Sequence, residues 1–155
     1  MEERLKLTKT STATKVDATL YRSIISGLRY LVLTRPDIMF AMGYVSRFME
    51  DPKEDHWAAV KRLLCYVKGT VDQGIIIPKT DGSRLQLTVF SNADMTGDID
   101  ERQSTSGVLV FLGSVLISWL SLKLKVVTLS TCEAEYVAAA TAACQVCGYA
   151  GCWAS

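Results

Sequence analysis

Within this 155-residue chain, Ser130–Ala143 leaves the least freedom of conformation. Ser130-Thr131 followed by Glu133 and Glu135 is a helix start: a hydroxyl at the N-cap takes up an orphan N–H, and acids in the first turn face the positive end of the helix dipole. The run AEYVAAATAA that follows is dominated by alanine, the strongest helix former. Directly upstream, Gly107–Leu120 holds two apolar, β-branched runs, VLVFL and VLISWL, broken by Gly113-Ser114, which is a hairpin signal. Leu85, Leu87 and Val89 alternate with Thr88 and Phe90 in the way of one more strand.

The first half has a different period. Residues 1–20 are polar and read as a flexible arm. Asp17 or Thr19 caps a helix carrying Ile24, Ile25, Leu28, Leu31 and Val32. Pro36 and Asp37 open a second helix, and Lys53–Lys68 forms a third with Trp57, Val60, Leu63, Leu64 and Val67 on one face. Gly69 is its expected C-cap. After Gly74 the pattern turns to strand, with Ile75–Pro78 read as a short one. The expected class is α+β: a small N-terminal helical cluster, then an antiparallel sheet of three main strands, then one C-terminal helix. The expected organisation is an arm at 1–20, a helical segment at 21–70, a sheet module at 71–145 and a tail at 146–155.

Three ordered stretches carry a resemblance: FSNADMTGD, RQSTSGVLVFLG and ISWLSLKLKVVTLSTCEAEYVAAA. They are similar to the ribonuclease H domain of copia-type retrotransposon polyproteins, which reads SDADWAGD, R-STSGYVFLLG and ISWSSKKQ-VALSSTEAEYIA there. Tyr21–Thr70 resembles the segment that joins reverse transcriptase to that domain, so the likeness runs from about Lys15 to Cys144. The resemblance implies a truncated ribonuclease H fold and, for an intact member, two divalent metals held by four carboxylates that activate water for cleavage of an RNA–DNA hybrid. The first carboxylate falls on Asn92, an amide that is a far weaker ligand for a hard cation. The second is Glu135. The third and fourth belong to family segments beyond Ser155. No catalytic residue and no metal or other cofactor is therefore expected, Asn92 and Glu135 being relic positions.

In the family the first strand is central, flanked by the hairpin and by a parallel strand that this sequence lacks. An apolar strand with an unpaired edge is a template for another strand. Leu85, Leu87, Val89 and Ser91 are thus the expected edge for a protein partner or for self-association, most simply as a two-fold homodimer. The N-terminal arm or the Ile75–Ile77 strand is the alternative cover for that edge.

Two enzymatic alternatives stand beside this binding module, which is open to a new and even harmful cellular role. One is a weak nuclease using Mg or Mn on Glu135 and Asp94, with Asp98 and Asp100 nearby. The other is an enzyme whose missing carboxylates come from a partner chain. Cys144, Cys147 and Cys152 with His56 lack the spacing of a zinc set. Ser104–Ser106 has no histidine placed to activate a serine. Lys123, Lys125, Arg102 and Arg84 form a relic basic face for weak nucleic-acid binding at most, since the net charge is only +1 and acids share the module. No apolar run reaches the roughly 18 residues of a membrane span. Five cysteines without framework spacing suit a reducing intracellular compartment, cytoplasmic by default.

The tail departs from the family, which continues with WLRRLLGE where this chain has CGYAGCWAS. Inserting TG after the valine codon of a coding sequence for VWLRRLLGE yields VCGYAGCWAS, so Cys147–Ser155 reads as frame-shifted. Sequencing of the locus is expected to find the family's frame resuming in register beside the shifted one; a locus without that frame refutes the shift.

Overall fold

The computed structural model describes residues 7–79, 86–94, 103–124 and 126–153. The chain divides into two compact units, Met1–Ile75 and Ile76–Ser155.

In the first unit, α1 (Ala18–Leu31) starts where Asp17 Oδ1 accepts the Thr19 and Leu20 N–H groups at 2.8 and 3.4 Å. Its buried residues Tyr21, Ile25 and Leu28 follow helical spacing and face the core. The second helix is shorter than the sequence pattern suggests. A 3-10 turn at Pro36–Ile38 leads into α2 (Met39–Val45), and a second 3-10 turn follows at Ser46–Phe48. α3 (Glu54–Gly69) closes the unit, burying Ala59, Val60 and Leu63. Tyr21 is fully buried, and its hydroxyl donates to the Val45 carbonyl at 2.8 Å.

Three expectations fail here. Residues 7–17 are docked rather than a loose arm. Leu7 is buried in the core with its N–H on the Tyr44 hydroxyl at 2.9 Å, and Lys15 bridges to Lys53 as an isolated antiparallel pair. The physical anchor is His56, which polar composition alone conceals. Its ring is fully buried, stacks on Phe48 at 3.9 Å, accepts the Lys53 N–H on Nδ1 at 3.1 Å and reaches the Thr8 carbonyl from Nε2 at 3.0 Å. Gly69 is the last residue of α3, and Thr70 caps it. The buried Arg35 guanidinium explains that: it donates to the Thr70 carbonyl at 2.9 Å and to Thr70 Oγ1 at 2.7 Å. Ile75–Pro78 is not a strand, and Ile76 and Ile77 are exposed. β-branched residues without a partner strand have no ladder to join.

The second unit is a three-stranded antiparallel sheet in the order β1 (Leu87–Asp94), β2 (Thr105–Leu112), β3 (Val115–Lys123), followed by α4 (Thr131–Trp153). The β2–β3 hairpin turns at Gly113, whose φ of 60° is readily reached only without a Cβ. One extra β3 residue beside Val110 and Phe111 shifts the register and bends the strand. With the helical unit, this is the α+β class expected from the sequence.

The Arg35 cluster supplies a pH-dependent lock on the helical unit. Arg35 grips Asp37 through two bonds of 2.9 and 2.7 Å, and the Tyr66 hydroxyl donates to the same carboxylate at 2.9 Å. The Arg35 bonds hold the Asp37 carboxyl down at about 2, against an ordinary 3.8. Because the folded value is depressed, the stabilisation is complete above 3.8 and is lost as pH falls toward 2. Asp37→Asn is expected to flatten this part of the stability-against-pH curve, measured by urea unfolding of both proteins across the same acid window.

Candidate functional site: the open edge of β1

Helix α4 fixes the site because of how closely it approaches the sheet. Ser130 Oγ accepts the Glu133 N–H at 3.1 Å, and Glu133 Oε2 accepts the Leu129 N–H at 2.6 Å, so the helix start is closed from both directions. Ala134, Ala138 and Ala142, four residues apart, are all buried. Their methyl groups let the helix lie low over β1 and β2, where Leu87, Val89, Leu120 and Tyr149 pack with Val108, Val110 and Ala142. The helix does not stop at the suspected frame shift. It continues to Trp153, and the Tyr149 hydroxyl donates to Ser118 Oγ at 2.9 Å.

This low approach brings Glu135 to the rim of the sheet. Its Oε1 accepts the backbone N–H of Ala93 at 3.1 Å. The bond reveals which way β1 presents its backbone. Within a strand, the N–H and C=O of one residue point the same way and alternate with those of the next. Gln86 gives its carbonyl to Gly113 N on the β2 side at 2.7 Å, so even-numbered residues face β2. Odd-numbered residues face outward. Leu87, Val89 and Ser91 therefore turn their N–H and C=O groups to the open edge, and among the described residues β1 pairs with β2 alone. Their side chains point to the α4 face, with Leu87 and Val89 half-buried. Leu85 lies outside the described residues.

The same alternation separates the relic metal positions. Asn92 and Asp94 stand opposite Gly107 and Thr105, on the sheet face away from the one where Leu87, Val89 and α4 pack. Both are exposed, whereas the Glu135 carboxylate is engaged at the rim between them. Among the described residues no three His, Cys, Asp or Glu side chains converge on a common point, and these residues do not assemble a two-metal cluster. Asp98, Asp100, Arg84, Arg102 and Lys125 lie outside the described residues.

The remaining candidates have surroundings of their own. Cys144 and Cys147 are free, exposed thiols on α4, and His56 is a packing residue of the helical unit. Ser104 Oγ and Thr128 Oγ1 share a buried bond of 2.8 Å. A hollow of about 280 Å³ in the helical unit is lined by Asp37, Phe40, Arg62 and Tyr66, but its carboxylate is already engaged by Arg35 and Tyr66. Among the described residues, no helix is long and apolar enough to cross a membrane.

A three-stranded antiparallel sheet covered by an alanine-faced helix, preceded by a small helical unit, defines an α+β fragment of ribonuclease H type. The chain belongs to the family of copia-type retrotransposon Pol polyproteins. It is 47% identical over 84% of its length to the retrovirus-related Pol polyprotein from transposon RE2 of Arabidopsis thaliana, of which it spans only 9%. It is 41% identical over 76% of its length to secreted RxLR effector protein 161 of Plasmopara viticola, covering 82% of that protein. An uncharacterized mitochondrial protein of Arabidopsis thaliana is 40% identical over 59% of this chain, which covers 86% of it. No family model and no solved structure matches the chain.

Sequence reasoning singled out Glu135 but missed its bond to the N–H of Ala93, a residue it did not name. The spacing of Glu135 from the buried Ala134 and Ala138 was the available signal, since it places the carboxylate beside the packed stripe. Ser106, weighed from the sequence only as a nucleophile, is buried, and its Oγ has no partner among the described residues. A buried hydroxyl without a partner is costly. Ser106→Ala is expected to stabilise this unit by about 1 kcal/mol in urea unfolding; a loss of stability shows that the hydroxyl is bonded.

Proposed function

We propose that this chain is a retrotransposon-derived, catalytically inactive ribonuclease H-like module that self-associates through the open edge of β1. The observation that carries the reading is the use made of Glu135. Its carboxylate accepts the Ala93 N–H at the strand rim, while Asn92 occupies the family's first metal-binding position. The outward N–H and C=O groups of Leu87, Val89 and Ser91 supply the surface on which another strand builds. Two of the relatives are of similar extent, the chain covering more than four-fifths of each, against 9% of the polyprotein.

The two enzymatic readings need Glu135 and Asp94 to share a cation, in one chain or with carboxylates from a second. The alternation of β1 disfavours this, because Asp94 lies on the far face of the sheet. Light-scattering mass of the purified chain, run beside an RNA–DNA hybrid cleavage assay in magnesium and in manganese, tests all three. The expected result is a dimer without cleavage. Cleavage that Glu135→Gln abolishes overturns inactivity, and a monomer at high concentration overturns self-association.

A further inference from the structure

Glu135 does more than fill a vacated role, and what it does follows from where β1 can be paired. Resting on the self-association reading above, we infer that a second copy of this chain pairs β1 with β1 antiparallel about a two-fold axis at Val89, and that Glu135 sets this register by closing the edge at Ala93.

The edge itself dictates the arrangement. A two-fold axis at Val89 places Leu87 against Ser91 of the other copy and Val89 against its own equivalent. All three residues turn N–H and C=O outward, so each pair exchanges two N–H···O bonds. Centring the pair on Thr88 or Phe90 makes that residue a non-hydrogen-bonded pair and leaves two bonded pairs among Leu87, Val89 and Ser91 in place of three; on Phe90 the next pair out calls on the Ala93 N–H that Glu135 holds. Moving the centre to Ser91 requires the Ala93 N–H, which Glu135 holds. Among the described edge residues, Val89 is the centre that leaves that bond intact and uses the other outward positions.

Charge points the same way. Gln86–Asn92 contains no ionisable side chain, so the paired segment meets its own copy without like-charge repulsion. Edge strands that avoid partners carry charges along the edge. Here the charges lie past the paired segment, with Arg84 before it in the sequence and Asp94 and Glu135 beyond its other end.

The helices complete the fit. An axis through Val89 perpendicular to the sheet puts both copies of α4 on one face. Because α4 lies astride β1 and β2, a strand spacing of about 4.8 Å across the new pair brings the two helices roughly 10 Å apart. That is within the usual range for packed helices, and small side chains allow closer approach still. Ala139 and Ala143, at four-residue steps from Glu135, share its side of α4 and are exposed. From Tyr136 to Trp153 the helix carries no charged residue, and Tyr136 is 78% exposed. A helix apolar on its outer side as well as its inner one is suited to being covered.

Amide hydrogen exchange read by NMR, across protein concentrations spanning monomer and dimer, tests the register. The amides of Leu87, Val89 and Ser91 are expected to slow at least about tenfold on association. Those of Thr88, Phe90 and Asn92 are expected to be slow throughout. The Ala93 amide is expected to be slow at every concentration in the natural chain and about tenfold faster in the monomer of Glu135→Ala. A dimer whose Leu87, Val89 and Ser91 amides stay fast overturns the register while leaving self-association standing. An Ala93 amide indifferent to Glu135→Ala overturns the role of Glu135. A chain that is monomeric throughout overturns both this inference and the reading beneath it.

Discussion

An edge strand has to dispose of the N–H groups it turns outward, and in this protein one carboxylate disposes of one of them. The bond from Ala93 to Glu135 depends on how low α4 lies over the sheet, and that depends on three alanines. Bulkier residues at positions 134, 138 and 142 lift the helix, and Glu135 then no longer reaches the rim. The bond also identifies the parity of β1, and parity decides the rest: which residues offer backbone to a partner, which side chains lie beneath the helix, and which face carries Asn92 and Asp94. A ribonuclease H-type helix and strand are thus retained, with the Glu135 carboxylate serving as a backbone acceptor at the strand rim.

The helical unit is held by a different kind of contact. Its core of Tyr21, Ile25, Ile38, Val45 and Val60 is apolar and fully buried. Its chain ends, however, are fastened by polar side chains taken out of water. Arg35 ties the end of α3 to the turn before α2, and His56 ties residues 7–14 to the start of α3. Buried polar groups are tolerable here because each finds a partner: the guanidinium meets a carboxylate, a carbonyl and a hydroxyl, and both ring nitrogens of His56 are engaged.

The order of elements was legible from the sequence because the periods are strong. Asp17 as N-cap, the Gly113-Ser114 turn and the Ser130–Glu133 helix start are local features, and local chemistry decides them. What was hidden depended on contacts distant in sequence. Gly69 loses the role of C-cap to Thr70 because Arg35, far upstream, claims the Thr70 carbonyl. Ile75–Pro78 has the composition of a strand but no ladder to join. Polar residues 7–17 dock because a single imidazole and a tyrosine hydroxyl receive their backbone. At the edge of β1, the shared parity of Leu87, Val89 and Ser91 follows from strand alternation alone. That Glu135 closes the same edge does not, since no spacing rule links residues 93 and 135.

His56 is the chain's one histidine. Its ring lies nearly parallel to Phe48, at an interplanar angle of 14°, inside the helical unit. The aromatic ring current displaces the imidazole proton resonances from their unfolded positions, and no second imidazole overlaps them. The chain therefore contains its own optical-label-free reporter: one pair of carbon-bound proton signals reads out whether the helical unit is intact while the sheet edge, in the other unit, is being altered.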